Sequence, residues 1–553
     1  MRLGNLARLA TALAVLSVAA CGGGSETDDA VATSGSVKSE ATLQARQAGD
    51  VSTTIGPRLE PAGKLTIGWH NAYAPYNFDP QEAPALITPY FFYYAVHDMV
   101  IKHFPGQSFA PSLAQTYKIA DDNRSATVTL REGIKFHNGE PVTSEDVKFS
   151  FENYRGVNAK VLKDKTERID TPDARTVNFT FKEPFLEFLT LYGTPASGAG
   201  VIVPKKYYQE VGPDGFKAKP IGAGPYKLVR NTSNNEFELE AVADYWRKSP
   251  NVKTIVIKII TDESTRFAAL TTGEIDLMNV IPGALLEPAK KAPGVTLAQL
   301  ATAPFWLEFP GYERPDNPFN NIKVRQAVSL AIDRKAINDA ETGGIGKINR
   351  GHWVEESRIG ALPAEEVKPE WYESNLAKAK ALMAEAGYPN GFEVSQLTPL
   401  PPYFPLAERV ITQLGEIGIR TKLNKMDRGA FSEALTKGVD GLPGIIINIT
   451  GLNGDAANVV RTFATCKGTS SRTCLPEIDQ KMTAYDRSTN AAERDRLVKD
   501  AQKILAEQYI FPYVYNIGLT MAQGPRVANP TSEIWFTIPQ FPYIYPYEDL
   551  KVK

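Results

Sequence analysis

Segments with strand character and segments with helix character alternate along most of this 553-residue chain. Residues 65–69 and 252–260 are rich in apolar and β-branched side chains, which is typical of buried strands. Residues 376–386 and 491–508 are rich in Ala, Lys, Glu and Leu and favour helices, and Gly387 ends the first of them. Because interleaved strands and helices usually form a layered fold, this order predicts an α/β protein.

The size and charge of the chain indicate how many structural units it forms and which class of partner it lacks. At roughly 150 residues per domain, the length predicts three to four structural units. The 61 Lys and Arg residues nearly cancel the 63 Asp and Glu residues, leaving a formal charge of −2. A large nucleic-acid footprint would need a basic excess, so we expect no nucleic-acid partner.

The N-terminus has the features of a secretory signal peptide. Arg2 and Arg8 form a short basic segment before an apolar run at 9–20, which is too short to span a bilayer comfortably. The small residues before Cys21 resemble a bacterial lipobox, in which this Cys carries the lipid. We therefore expect a signal peptide at 1–20 and a lipidated flexible tether at 21–62, which is poor in large apolar residues. The alternative is a short N-terminal helix with a chance Cys.

Two further cysteines follow, Cys466 and Cys474, eight positions apart. In the oxidising compartment that a secretory signal implies, they are expected to form a disulfide. On the chain-entropy model, so small a loop contributes only about 2–3 kcal/mol. The spacing is not Cys-x-x-Cys, so a redox motif is not indicated.

Catalytic signatures are absent from the sequence. It contains no Gly-x-Ser-x-Gly elbow, no His-Glu-x-x-His motif, no P-loop and no Cys-x-x-Cys pair, and its five histidines are scattered. We therefore expect no enzyme activity, no cofactor and no metal site. A catalytic site assembled from distant residues is the alternative that sequence leaves open.

Aromatic residues at predicted strand ends are the first candidates for a ligand site. Trp69, His70 and Asn71 end the first strand, while Phe305 and Trp306 follow a strand and precede a loop rich in Pro, Gly and Asn. In open α/β sheets, ligands bind at the carboxyl ends of strands. The alternative for each of these residues is a place in the core, which is also the interpretation of the aromatic run at 90–94.

Several motifs occur in a characteristic order over about residues 60–550. They are the runs LREGIKFHNG at 130–139, TSEDVKFSF at 143–151, GAGPY at 222–226, GEID at 273–276, VRQA at 324–327, AIDR at 331–334, EAGYPNGF at 385–392 and GEIGI at 415–419. Together they resemble the extracytoplasmic solute-binding proteins of ABC importers, in the family that includes the dipeptide- and oligopeptide-binding proteins.

The resemblance implies a two-lobe α/β fold of the periplasmic-binding-protein type, with a hinge and an interlobe cleft. Lobe one would comprise 63–305 plus 515–553, with an inserted subdomain at about 97–219, and lobe two would comprise 306–514. The implied function is that of a monomeric receptor at the periplasm or cell surface. It would be anchored to the membrane through Cys21, capture a small-molecule or peptide ligand and deliver it to ABC transporter permease subunits. A secreted hydrolase with a cryptic site, or a sensor on the same scaffold, are the alternatives.

The resemblance also bears on the ligand. Peptide-binding members hold the peptide ammonium with an Asp in a loop resembling Trp-x-Gly-Asp-x-Gly-Asp-Pro, and the matching stretch here contains Gly451, Leu452 and Asn453. The anchoring Asp falls on Leu452, so weak binding of ordinary dipeptides and a preference for an apolar or neutral group are expected. In the alternative the loop is shifted and Asp455 anchors the ammonium.

A second possible contact follows a Gly-rich segment. Arg350, His352 and Trp353 lie there and are candidates to meet an anionic group of the ligand.

Overall fold

The computed structural model describes residues 58–553 apart from short internal segments. The segments left out are 72, 84–89, 105–106, 194–196, 233–234, 349–352, 355–359, 402, 450–454, 469, 539–540 and 545. The predicted signal peptide and most of the predicted tether lie outside the described residues. Within them, no helix is both long and apolar enough to span a membrane.

Strands and helices interleave as the sequence predicts, so the α/β expectation is confirmed. The strands are β1 Ala62–Trp69, β2 Ile101–Phe104, β3 Gln107–Pro111, β4 Ala114–Ile119, β5 Ser125–Leu130, β6 Thr166–Asp170, β7 Thr176–Phe181, β8 Tyr226–Thr232, β9 Glu236–Ala241, β10 Val252–Ile259, β11 Leu277–Ile281, β12 Thr296–Glu308, β13 Phe392–Glu393, β14 Leu397–Pro399, β15 Ile419–Arg420, β16 Ile445–Ile449, β17 Tyr513–Gln523, β18 Trp535–Ile538 and β19 Phe541–Ile544.

The helices surround these strands. They are α1 Tyr90–Val96, α2 Ser144–Asn153, α3 Ala159–Lys165, α4 Phe188–Tyr192, α5 Lys205–Ala218, α6 Glu263–Thr271, α7 Gly283–Lys291, α8 Ile322–Ala331, α9 Arg334–Thr342, α10 Leu376–Glu385, α11 Phe404–Gly415, α12 Arg428–Thr436, α13 Ala456–Ala464, α14 Pro476–Arg487, α15 Ala491–Glu507 and α16 Thr531–Ile534.

A nine-stranded sheet forms the centre of the fold, in the order β14-β16-β12-β17-β11-β1-β10-β9-β8. β12 and β17 are its longest strands and pair antiparallel, from Thr296 opposite Gln523 to Trp306 opposite Tyr513. At 13 residues, β12 is roughly 43 Å long. Its last residues pair with β16, whereas the opposite end of β17 pairs with β11. The two halves of the sheet are therefore offset along the strand direction, and the long strands β12 and β17 connect them.

The pairing of β12 and β17 is irregular near the middle of the sheet. The register shifts between Ala301 and Pro304 and again between Pro304 and Trp306. Phe305 and Trp306 lie inside β12, not after it, so the sequence-based placement of this pair beyond a strand is wrong. Antiparallel pairing with β16 keeps the chain extended through these residues.

A second sheet builds a separate module. Its four antiparallel strands lie in the order β4-β5-β7-β6, and α2, α3 and α4 contribute Phe151, Leu162 and Phe188 to a hydrophobic core of its own. A Ser or Thr cap with acidic residues in the first turn predicts a helix start at 143–146. α2 begins there, and the Asp146 carboxylate accepts hydrogen bonds from the Thr143 backbone N–H at 2.8 Å and hydroxyl at 2.7 Å. We call β4–β7 with α2–α5 the four-stranded module.

The helices α13, α14 and α15 form a layer beside the β16 half of the central sheet. Phe463 of α13, Ile478 of α14 and Leu497 of α15 all belong to the large core cluster that also contains the buried residues of β12 and β16. We call α13–α15 the helical layer. Its first helix begins directly after the segment 450–454, which lies outside the described residues.

Candidate ligand-binding cleft

The carboxyl ends of three neighbouring strands meet at one edge of the central sheet. β1 pairs in parallel with β10 on one side and β11 on the other. Trp69 ends β1 and is fully buried, with its ring 4.4 Å from that of Phe91 and 5.1 Å from that of His70. His70 and Asn71 follow and are half-buried. This edge is where the general rule for open α/β sheets places a ligand.

Arg266 of α6 holds the main chain at this edge together. Its guanidinium donates to the carbonyl oxygens of Ile260 at 2.6 Å, Val280 at 3.1 Å and Asn279 at 3.2 Å. Burial lowers the pKa of Arg266 to about 10, while Glu263 and Asp262 act in the opposite direction. The ends of β10 and β11 are therefore fixed beside a buried cation.

Asn279 and Val280 are residues that the sequence analysis missed. The Asn279 side chain is buried and its Oδ1 has no hydrogen-bond partner among the described residues. Val280 has φ of 58°, an uncommon conformation for a β-branched residue, and such strain is concentrated at functional sites. The Gly-Glu-Ile-Asp motif at 273–276 directly precedes β11 and was the available signal for this strand end.

Phe305 and Trp306 point to opposite faces of the sheet, as successive residues of a strand must. Phe305 lies 4.7 Å from the ring of Tyr403 and 5.6 Å from that of Tyr515. Trp306 instead packs edge-on against Phe463 of the helical layer, at 5.2 Å. The two side chains, both buried, therefore do not share one wall of a pocket.

A buried polar network lies on the Trp306 face of the sheet. Glu308 Oε1 accepts hydrogen bonds from Trp306 Nε1 at 3.0 Å and Asn448 Nδ2 at 2.9 Å. Its other oxygen, Oε2, accepts from Arg472 Nη1 at 2.8 Å. Neither Glu308 nor Arg472 stands out in the sequence, because 164 positions separate the two partners.

The disulfide between Cys466 and Cys474 is confirmed, with an S–S distance of 2.05 Å and a Cα–Cα distance of 4.2 Å. Arg472 lies within the loop that it closes. The bridge therefore closes the loop that carries the arginine partner of Glu308.

Asp455 begins α13 as its N-cap residue. Its Oδ1 accepts from the Asn458 backbone N–H at 2.8 Å. Burial and the nearby Glu187 raise the pKa of Asp455, whereas Arg461 lowers it. One oxygen of this carboxylate is thus engaged by the helix it caps.

Comparison with known proteins identifies the family to which this chain belongs. A family model described as "Bacterial extracellular solute-binding proteins, family 5 Middle" matches residues 108–471. The chain belongs to this family. It is therefore a solute-binding protein and not an enzyme.

Two curated relatives of this family 5 protein align with it over most of their own length. Heme-binding protein A of Haemophilus influenzae is 27% identical over 527 residues, which cover 86% of this chain and 91% of the relative. Di/tripeptide-binding protein 1 of Pseudomonas aeruginosa is 28% identical over 446 residues, which cover 73% and 80%.

Solved structures show the same fold. The ABC transporter substrate binding protein CtaP of Listeria monocytogenes superposes with a TM-score of 0.76 at 21% identity, covering 89% of this chain and 100% of CtaP. A dipeptide binding protein from Pseudoalteromonas in complex with Met-Leu gives a TM-score of 0.73 at 22% identity, covering 89% and 100%. The two-lobe fold of this family is confirmed for the chain.

The remaining predicted site residues are only partly described. Trp353 is buried, with its ring 4.6 Å from Phe511 and 5.9 Å from Trp306. Arg350 and His352 lie outside the described residues, as does the loop with Gly451, Leu452 and Asn453. The ligand-binding role of each of these residues stays a prediction.

Proposed function

We propose that this family 5 protein is a lipid-anchored receptor that captures a small solute outside the cytoplasm and delivers it to an ABC transporter permease. The predicted signal peptide at 1–20, the Cys21 that follows it and the polar segment after Cys21 support the anchor. Family membership supports capture of a solute. The structural similarity to CtaP, an ABC transporter substrate binding protein, supports the delivery step by analogy.

The observation that carries the capture step is the pair of long strands joining the two halves of the sheet. β12 and β17 are paired with each other, and their register breaks between Ala301 and Trp306. We assign the hinge to Thr302, Ala303 and Pro304 on β12, and to residues 513–515 at the start of β17. The lobes on either side would then be 63–305 plus 515–553, and 306–514. Two extended connections allow the lobes to rotate and close around a ligand.

The proposed ligand contacts come from both sides of this hinge. On the β1 side they are Trp69, His70, Asn71 and the carboxamide of Asn279 at the neighbouring strand end. On the β16 side they are Phe305 and the loop 451–453, with Trp306 and Trp353 behind. Aromatic and apolar walls with a few polar groups are typical of small-molecule pockets.

The proposed ligand is peptide-like in size but has an apolar or neutral group where a peptide presents its ammonium. The support is Leu452, which replaces the carboxylate that peptide-binding members use, together with the helix-capping role of Asp455. A buried ammonium without a carboxylate partner is costly. Relatives named for heme, di- and tripeptides and glutathione show that sequences at this distance serve chemically different ligands.

Native mass spectrometry of protein purified without unfolding tests the function most directly. We expect the Cys21→Ser protein to carry a small molecule that is released on mild denaturation and rebinds stoichiometrically. The Trp69→Ala variant should lose it, whereas Trp371→Ala, in a separate hydrophobic cluster with Leu362 and Val367, should retain it. Turnover of a peptide, ester or glycoside by the purified protein would contradict a pure binding function.

A further inference from the structure

One acidic side chain of the four-stranded module contacts two arginines of the helical layer. Glu187, the residue before α4, places Oε1 3.1 Å from Arg461 Nη2 and 3.5 Å from Arg494 Nη2. These arginines lie on α13 and α15, and 274 and 307 positions separate them from Glu187. The Glu187 side chain is only 7% exposed, so the contact is largely removed from water.

Each side of the contact is held rigidly by its own surroundings. Phe185 and Phe188, on either side of Glu187, belong to the core of the four-stranded module. Across the contact, the Arg494 guanidinium lies 3.8 Å from the centre of the Tyr485 ring, and its Nη1 donates to the Tyr485 carbonyl at 3.0 Å. Arg461 also pairs with Asp486 of α14. Side chains fixed in this way lose little conformational entropy when they pair.

The charges around Glu187 favour its ionised form. Burial alone would raise the pKa of Glu187, but Arg461, Lys165 and Arg494 outweigh it and hold the pKa below its ordinary value. The carboxylate is therefore charged at neutral pH and meets two cations. Coulombic attraction in such a partly dehydrated contact is stronger than between exposed side chains.

We propose that Glu187, Arg461 and Arg494 form a latch that holds the four-stranded module against the helical layer and so stabilises the closed form of the receptor. The proposal rests on the hinge closure described under the proposed function. The latch is reversible because the arginines keep local partners when it opens. Arg461 retains Asp486, Arg494 retains the Tyr485 ring and carbonyl, and Glu187 returns to water.

A latch of this kind sets how readily the ligand-free receptor closes. For a ligand that binds only the closed form, the apparent affinity equals the affinity for that form multiplied by the fraction of protein that is closed. The latch would raise that fraction before any ligand arrives and would slow opening afterwards. Its strength therefore influences the affinity for the solute without any contact to it.

The test measures lobe separation in the absence of ligand. Nitroxide labels on Lys118→Cys in β4 and Thr483→Cys in α14, both exposed positions, report the distance by pulsed electron paramagnetic resonance in the Cys21→Ser background. Glu187→Gln should lower the ratio of short to long distances about fivefold, since it removes the charge while nearly keeping the shape. Arg461→Gln should act similarly, and the double variant should add little to either single change, as expected for one shared contact.

The matched control is Asp495→Asn, which removes an ion pair with Lys499 that lies within the helical layer and touches no residue of the latch. It should leave the distance distribution close to that of the parent. An unchanged distribution in Glu187→Gln, or an equal change in Asp495→Asn, would overturn the latch. Because no ligand is used, failure to capture any solute would count against the proposed function and not against the latch.

Discussion

Glu308 and Arg472 form an ion pair in which both side chains are almost fully buried, at 4% and 2% exposure, with Oε2 and Nη1 2.8 Å apart. The carboxylate also accepts from Trp306 and Asn448. The pair therefore ties the end of β12 to β16 and to the disulfide loop. Its position makes it a stability determinant of the half of the protein that follows the proposed hinge.

Replacing Glu308 with Ala should destabilise the protein by about 3–5 kcal/mol, because Arg472 would keep a buried charge without its partner. Thermal unfolding followed by calorimetry measures the change. The exposed pair of Arg314 and Asp440 supplies the control, since Asp440→Ala should change stability by less than about 1 kcal/mol. Equal effects of the two substitutions would show that burial does not set the strength of the Glu308 pair.

The buried His97 and His103 and the half-buried His137 should make the protein sensitive to acid. Burial lowers the pKa of His97 to about 3, and of His103 and His137 to about 4, from an ordinary value of 6.5. The unfolded chain therefore takes up protons below pH 6.5 that the folded chain does not. The stability contribution of these neutral imidazoles is fully present above pH 6.5 and is lost as the pH falls toward 4.

Urea unfolding at pH steps between 8 and 4 measures this loss. The test variant is His97→Leu, because neither ring nitrogen of His97 has a hydrogen-bond partner in the part of the chain that the structure describes. It should flatten the dependence of the unfolding free energy on pH below 6.5. Any pH-independent cost of the substitution appears at pH 8 and can be subtracted. If the unfolding free energy of the variant depended on pH as steeply as that of the parent, a lowered pKa of His97 would be contradicted.

Substituting Cys21 with Ser should release the protein from membranes. The lipid is the proposed anchor, and the sequence at 22–62 is poor in large apolar residues. A single acyl chain holds a protein only marginally, whereas the several chains of a lipoprotein hold it firmly. Fractionation after a high-salt wash decides the outcome. Retention of the Ser variant in the membrane fraction would refute lipid anchoring at Cys21.

The replacement Leu452→Asp should create binding of ordinary dipeptides, because it restores a carboxylate for the ammonium. We expect calorimetry to detect little or no dipeptide binding by the parent and at least tenfold tighter binding by the Asp variant. The variant Leu452→Asn, similar in size but neutral, is the control and should resemble the parent. Micromolar dipeptide binding by the parent that is lost in Asp455→Ala would instead assign the ammonium to Asp455.

Tryptophan fluorescence should report ligand capture. Trp69 and Trp306 are fully buried next to the proposed cleft, so closure of the lobes should alter their emission. Replacing both with Phe should remove most of the ligand-induced signal, whereas Trp371→Phe, in a separate cluster, should leave it intact. At a hundredfold excess over its dissociation constant, the ligand should also raise the unfolding free energy by about 2.7 kcal/mol. A ligand-induced signal of unchanged size in the double variant would place both residues away from the cleft.

The sequence by itself determined the elements whose signals are local. Residues 376–386 predict α10, and Gly387, with φ of 91°, follows its last turn. The acidic residue three positions after Thr143 predicts the start of α2, since both capping partners lie within one turn. The aromatic run at 90–94 is buried in α1, as its interpretation as core predicts. The order of the motifs also predicted the family, because each motif is a short continuous segment.

Only the tertiary structure decided which distant residues meet. Strand alternation alone sends Phe305 and Trp306 to opposite faces, but their partners Tyr403 and Phe463 come from elements that the sequence does not pair with β12. The contacts of Glu308 with Arg472 and of Glu187 with Arg461 span 164 and 274 positions. Such pairs depend on strand register and helix packing across the whole chain, and no local periodicity encodes them.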